Sequence, residues 1–199
     1  MRRLLATHTG IVLKKYAHKN KIALLDRILG RIDGIVFASH DISIGAQLSY
    51  SLDERSGCYY IVSCEVIDVP LVVGKYDVYF LHHVLEICYF SVPLRSVEVV
   101  VFDMIIFLYR HFSSSWSMVE KKIFIFRLLV AIGCYSDHFW LHKPNIQVLC
   151  IMPIDKLFGG IIHLSDISDI RDMHDWLSVC LMEHPYSDQF KTVNFLYKE

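Results

Sequence analysis

The sequence lacks the uninterrupted run of about 20 apolar residues that a membrane-spanning helix requires. Its two longest apolar stretches are residues 97–109, which contain Glu98 and Asp103, and residues 123–135, which contain Arg127. Charges at these positions are incompatible with a lipid-facing segment of this length. We therefore expect both stretches to form buried helices that pack against each other.

A signal-peptide core is also absent, because Arg2 and Arg3 are followed within a few residues by Thr7, His8 and Lys14. This favours a cytoplasmic protein. The six cysteines include no C-x-x-C pair, and a chain of 199 residues can build a core without disulfides. We expect the cysteines to be free thiols.

The motifs of several enzyme classes are missing. The sequence contains no G-x-x-x-x-G-K-[ST] loop, no H-E-x-x-H, no G-x-S-x-G and no glycine-rich dinucleotide fingerprint. An acidic series repeats every three residues and suggests a metal-dependent nuclease, but three-residue steps drift around a helix, so a solvated outer face is the preferred interpretation. We predict a protein that is not an enzyme, with a hydrolase acting through this series as an alternative: Asp166, Asp169, Asp172 and Asp175.

A possible metal-binding series is present at Cys134, His138 and His142, with Cys150 beyond it. One face of a helix could present the first three side chains to zinc. However, Gly133 predicts that the preceding helix ends there, and eleven histidines make chance pairs common. We predict no metal site.

What the sequence does contain is a strong asymmetry of charge. The first 40 residues hold eight basic and two acidic residues, whereas the other 159 hold twelve basic and nineteen acidic ones. A near-neutral chain that concentrates its cations in this way is typical of a polyanion-binding module. The predicted binding residues are Arg2, Arg3, Lys14, Lys15, Lys19, Lys21, Arg27 and Arg31.

Short β-like segments dominate before residue 72. Five are predicted, at residues 9–14, 21–29, 34–39, 46–53 and 58–67, with turns at 30–34 and 53–57. Five short antiparallel strands with hairpin connections suit a small closed barrel of the OB type. Residues 1–72 are therefore predicted to form an OB-fold nucleic-acid-binding domain.

Helical periodicity follows in residues 73–199. Helices are predicted at 76–90, at 94–112 after Pro93, and from the capping box Ser117-x-x-Glu120 to about Cys134. Residues 136–164 are expected to be irregular, and further helices are predicted at 166–182 and from Ser187 or Asp188 to 197. The predicted fold class is α+β, an N-terminal five-stranded OB-fold barrel followed by an α-helical domain.

Aromatic residues accompany the cations and predict how a polyanion would bind. Lysines and arginines along a barrel groove neutralise phosphates, and aromatic rings stack with bases. The alternative is an exposed face whose charges are merely solvated, on an OB-fold protein-interaction scaffold without DNA binding. The candidate stacking residues are Tyr16, Phe37, Tyr50, Tyr59 and Tyr60.

The segment GIVLKKYAHKNKIALLDRILGRIDGIVFAS resembles the opening of the bacterial recombination mediator family RecO. IGAQLSYSLDERSGCYYIVSCEVIDVPL is similar to that family's last two barrel strands, and EKKIFIFRLLVAIGCYSD to its L-L-x-x-x-G-[YF] helix. The counterparts in that helix are Leu128, Leu129, Gly133 and Tyr135.

This resemblance implies a function in DNA repair and recombination. It implies binding of single- and double-stranded DNA, annealing of complementary strands and recombinase loading. The implied partners are RecR and the acidic tail of single-strand-binding protein. Many family members carry a four-cysteine zinc element after the L-L-x-x-x-G helix. Here residues 136–164 contain only Cys150, so we expect that element to be degenerate and without zinc.

Overall fold

A closed five-stranded barrel forms the N-terminal part of the computed structural model, which describes residues 6–17, 20–36, 42–134, 139–158 and 170–191. Its strands are paired in the order β1-β2-β3-β5-β4, and β4 pairs back with β1. The other neighbours are antiparallel as predicted, but β3 and β5 pair in parallel, so the expectation of antiparallel strands throughout was wrong for this pair. This is a Greek-key barrel of the OB type, and the predicted fold class is confirmed. The strands are β1 (Thr7–Lys15), β2 (Lys21–Asp26), β3 (Gly30–Val36), β4 (Gln47–Arg55) and β5 (Cys58–Asp68).

Both faces of the β1–β2 hairpin are buried, which is why its sequence is almost continuously apolar. Val12 and Leu24 point into the barrel, whereas Ile11 and Leu25 belong to the core that the helices share. Leu13, two residues after Ile11 on the same face of the strand, also packs towards the helices, and a bulge lies between Val12 and Lys14. The barrel and the helical part are therefore joined by a common apolar core.

Six α-helices follow the barrel in the described residues. The stretch at 97–109 lies largely in the second helix and that at 123–135 in the third, and each of these helices contributes six buried side chains, which confirms that both are core helices. Within the part of the chain that the structure describes, no helix is both long and apolar enough to cross a membrane. The helices are α1 (Leu71–Ser91), α2 (Val99–His111), α3 (Met118–Ile132), α4 (Pro144–Ile151), α5 (Ile154–Phe158) and α6 (Ile170–Met182).

The turn after β2 lies earlier than predicted. The buried Asp26 carboxylate accepts hydrogen bonds from the backbone N–H groups of Ile28 (2.7 Å) and Leu29 (2.6 Å). These bonds close the turn directly after β2, and Gly30 (φ +74°) begins β3. The predicted turn at 30–34 and the predicted start of the third strand at residue 34 were wrong.

The predicted helix starts were partly wrong. The first helix begins at Leu71, five residues early, and contains a kink at Asp77. The second begins at Val99 and not at residue 94, because Leu94 forms a parallel bridge with Arg31 on β3. The capping box at Ser117 is confirmed in full at the start of α3.

The segment 136–164 is more regular than predicted. Its described part contains a 3-10 turn at Phe139–His142, then α4 with Pro144 in its first turn, then α5. The expected irregularity was therefore wrong for 144–158. Near the C-terminus the structure has a 3-10 turn at Ser187–Gln189, and Phe190 and Lys191 are not helical, so the predicted final helix was wrong over its described part. Residues 192–197 of that prediction lie outside the described residues.

Candidate nucleic-acid interface

A groove of about 530 Å³ opens on the barrel between the β1–β2 loop and the β4–β5 turn. OB folds bind oligonucleotides at these two loops and the adjacent strands. We call this groove the loop groove. It is lined by Asn20 and Lys21 from the first hairpin, Asp33 and Ile35 from β3, Gly57, Cys58 and Tyr59 from the second hairpin, and Leu94 from the α1–α2 loop.

The outer rim of the loop groove combines an aromatic ring with a cation. The guanidinium of Arg95 lies 5.2 Å from the ring centroid of Tyr59 and is 3.4 Å from a carboxylate oxygen of Glu54. Both charged side chains are more than half exposed, so this ion pair is weak and can be exchanged. Leu94 adds an exposed apolar surface beside it.

The inner end of the loop groove holds a lysine–aspartate pair. Lys21 Nζ lies 2.8 Å from Asp33 Oδ2 and 4.9 Å from the ring centroid of Tyr16. The Tyr16 hydroxyl donates a hydrogen bond to the same Asp33 oxygen at 3.2 Å. Burial, the hydrogen bond to Tyr89 and the negative charge of Asp33 all raise the pKa of Tyr16, so this hydroxyl stays protonated at neutral pH.

An aromatic–cation surface continues from Tyr16 towards α1. Lys14 Nζ lies 4.4 Å from the ring centroid of Tyr89, 5.5 Å from that of Tyr16 and 5.7 Å from that of Phe90. The hydroxyl groups of Tyr16 and Tyr89 are hydrogen-bonded at 2.9 Å. We use the name aromatic–cation surface for Lys14, Lys15, Tyr16, Tyr89 and Phe90. Lys14 and Lys15 form no ion pair within the described residues.

The structure brings only part of the predicted cationic set together. Lys14, Lys21 and Arg31 gather around Tyr16 and Tyr89, and the exposed Lys15 follows Lys14 on β1. Arg31, however, donates hydrogen bonds to the backbone carbonyls of Tyr89 and Val92 at the end of α1. Its guanidinium is therefore already hydrogen-bonded within the protein.

Arg27 is not part of this cluster. It follows β2 at the opposite end from Lys21, and its guanidinium lies 3.3 Å from Asp103 on α2. Arg2, Arg3 and Lys19 lie outside the described residues, as does Phe37. Of the other candidate aromatics, Tyr59 lies in the loop groove and Tyr50 is buried inside the barrel.

The Tyr50 hydroxyl has a structural role. It donates a 2.6 Å hydrogen bond to the buried Asp26 carboxylate, and the His8 ring stacks on the Tyr50 ring at 5.8 Å. Burial and the Asp26 charge raise the pKa of Tyr50. This network fastens β1, β2 and β4 together and leaves no Tyr50 surface for stacking with a base.

The remaining sequence candidates form no site within the described residues. No group of three or more histidine, cysteine, aspartate or glutamate side chains is placed there to hold a metal. Cys134, His142 and Cys150 are described, whereas His138 lies outside. Of the acidic series, Asp175 is exposed on α6, while Asp166, Asp169 and the Asp172 side chain lie outside.

Sequence reasoning missed Leu94 and Arg95, which come from the helical part of the chain. They were placed inside a helix that starts at residue 94, and nothing in the local pattern connects them with β3 or Tyr59. The positive φ of Arg95 (+63°) carries no sequence signal either, since glycine is the residue that favours that region.

The chain matches no protein-family model and no curated protein with which it was compared.

Proposed function

We propose that this protein is a non-catalytic nucleic-acid-binding protein that holds a DNA strand in the loop groove. In line with its resemblance to RecO, the proposed role is that of a repair and recombination mediator which binds single- and double-stranded DNA, anneals strands and loads recombinase. RecR and the acidic tail of single-strand-binding protein are the partners that this proposal includes.

One observation carries the proposal: the loop groove lies between the two hairpin connections of a closed OB barrel and contains Tyr59 and Lys21. An unpaired base can pack against the half-buried Tyr59 ring and the apolar side chains of Ile35 and Leu94. The adjoining aromatic–cation surface extends the path along which a phosphate backbone can run.

Ion pairs within the chain set the expected strength of binding. Lys21 is paired with the partly buried Asp33, Arg31 is hydrogen-bonded to backbone carbonyls, and Arg27 lies at the opposite end of β2 from the groove. Lys14 and Lys15 are therefore the predicted residues best placed to neutralise phosphate. For single strands, log affinity should fall with log salt by about 0.7 for each phosphate contact. A shallow slope, reflecting few contacts, is expected.

The direct test reverses the charge of these two lysines. Lys14→Glu/Lys15→Glu should lose most of its affinity for a labelled single-stranded oligonucleotide and lower the salt slope by about 1.4, the contribution of two contacts. Fluorescence anisotropy titration at two salt concentrations measures both quantities. The anisotropy recorded after the complementary strand is added measures strand annealing.

The matched control is Lys75→Glu/Lys156→Glu, which makes the same change of charge at two exposed helical positions far from the groove residues in sequence. This control should bind like the wild type. Equal affinity of the Lys14/Lys15 variant and the wild type, with both folded by circular dichroism, would refute the proposed function.

A second candidate function is the OB-fold protein-interaction scaffold. It is favoured by exposed apolar side chains where β5 leads into α1, namely Ile67 (53% exposed), Leu71 (73%) and Tyr76 (53%). Such a cluster is typical of a surface that binds another protein. Recovery of a specific partner from nuclease-treated lysate, with no retention of the protein on DNA, would favour the scaffold.

A further inference from the structure

The α1–α2 loop is docked on the first residues of β3. Leu94 forms a parallel bridge with Arg31, and the Arg95 N–H donates a 2.8 Å hydrogen bond to the Arg31 carbonyl. Beside them, the backbone approaches so closely that a Cβ added to Gly30 would lie 1.8 Å from the Ser96 carbonyl oxygen. The position of this loop is therefore set by the barrel.

The side chain of Arg31 fastens the other end of the same loop. In a helix the Tyr89 carbonyl would accept from the N–H four residues later, but that residue is Pro93, which has none. Arg31 supplies the missing donor and also donates to the Val92 carbonyl at 2.9 Å. Its guanidinium lies 4.7 Å from the Tyr89 ring centroid, and its Nε atom is buried.

Arg95 is held differently from Arg31. Its backbone has a φ of +63°, a region that non-glycine residues rarely adopt, and the hydrogen bond to Arg31 keeps it there. Its side chain is 58% exposed and lies over Tyr59 at the rim of the loop groove. A guanidinium in this position can bind phosphate with two donors, in exchange for the exposed Glu54.

We propose that Arg95 is a phosphate-binding residue for single-stranded nucleic acid and that Arg31 is the positioning residue that holds it at the groove. The site is then composite, with the barrel supplying Tyr59 and the helical part supplying the cation beside it. This inference rests on the proposed function and adds to it a residue that the charge pattern of the first 40 residues does not contain. It also assigns Arg31 a role other than contact with nucleic acid.

A double-mutant cycle separates positioning from direct contact. The probe is a labelled oligothymidine of about 16 nucleotides, titrated at several salt concentrations. Arg95→Gln should reduce the salt slope by about 0.7, which is roughly a fivefold loss of affinity at 0.1 M salt relative to 1 M. Arg31→Gln should reduce the slope by the same amount, and the double variant should lose no more than either single one.

Two further variants complete the design. Arg55→Gln is the matched control, because Arg55 also lies over a tyrosine ring (Tyr60, 5.8 Å) and pairs with a carboxylate (Asp53, 2.6 Å), but Tyr60, unlike Tyr59, does not line the groove. It should bind like the wild type. Arg31→Lys keeps a positive charge but cannot reproduce the planar, two-carbonyl bridge, so its slope should fall as in Arg31→Gln.

The outcomes distinguish this inference from the proposed function. If the wild type binds in a salt-dependent manner and Arg95→Gln binds with an unchanged slope, the inference is overturned and the proposed function stands. Additive losses, or a slope retained in Arg31→Lys, would show that Arg31 contacts phosphate itself and would overturn its positioning role. A wild type that does not bind the oligothymidine would overturn both. Arg95 is exposed, so Arg95→Gln should fold. Its salt slope therefore tests whether Arg95 binds phosphate even if the Arg31 variants do not fold.

Discussion

His83 is completely buried within α1, and burial lowers its pKa to about 3. The imidazole is therefore neutral in the folded protein at neutral and mildly acidic pH. In the unfolded chain the same group titrates near its ordinary value of about 6.5. Between these two values only the unfolded state binds the proton, so acid favours unfolding.

Stability should accordingly fall as the pH is lowered from about 6.5 towards 3, and His83 should contribute up to about 1.4 kcal/mol for each pH unit. Urea unfolding at pH 7.5 and pH 5 measures this for the wild type and for His83→Gln, whose amide does not titrate. The loss of stability between the two pH values should be smaller in the variant. The same loss in both proteins would contradict the burial of a neutral imidazole.

At the residue scale, composition predicted that cations and aromatic rings lie together better than it predicted what each of these side chains contacts. Lysines and tyrosines near the N-terminus do meet, as Lys14 with Tyr16 shows. Arg27 and Arg31 have partners 76 and 58 residues away, and no local pattern identifies these. A count of charges includes such residues although Arg31 is already hydrogen-bonded within the protein and Arg27 lies away from the groove.

At the element scale, the capping box of α3 is the most local of the confirmed features. The Glu120 N–H donates to Ser117 Oγ (3.2 Å), and the Ser117 N–H donates to the Glu120 carboxylate (2.6 Å). Ser117→Ala removes one of these bonds and should lower the free energy of unfolding by about 0.5–2 kcal/mol. Chemical denaturation measures the change.

Ser114→Ala is the control for this prediction, because Ser114 is exposed in the turn before α3 and is not at its cap. Its stability should equal that of the wild type. A Ser117→Ala protein as stable as this control would indicate that the cap contributes nothing to α3.

Elements whose ends depend on distant residues were predicted less well than α3. The cap needs only residues 117 and 120, which are visible together in the sequence. The start of α2 depends on the Arg31–Leu94 bridge, and the start of β3 depends on the Asp26 hydrogen bonds to the turn. The kink at Asp77 separates the first six residues of α1 from the rest of the helix. The Asp77 carboxylate accepts from the Phe80 N–H and pairs with Lys121 on α3.

At the scale of the whole molecule, alternation and turn residues sufficed to predict a five-stranded barrel followed by helices. They did not predict the parallel pairing of β3 with β5, which closes the barrel and brings Tyr59 beside Gly34. They also did not predict that the helical part contributes to the loop groove. Both features depend on contacts between segments far apart in the chain, which a single sequence does not display.

The central claim, that the loop groove holds a nucleic-acid strand, is tested most directly by protection of Cys58. This exposed thiol lines the groove, whereas the half-buried Cys64 on the same strand lies outside it. Alkylation of both residues is followed by mass spectrometry with and without a single-stranded oligonucleotide. At about ten times the Kd, we expect Cys58 to react roughly tenfold more slowly and Cys64 to react at its original rate. An unchanged Cys58 rate under conditions where anisotropy shows saturation would mean that the strand does not lie in the loop groove.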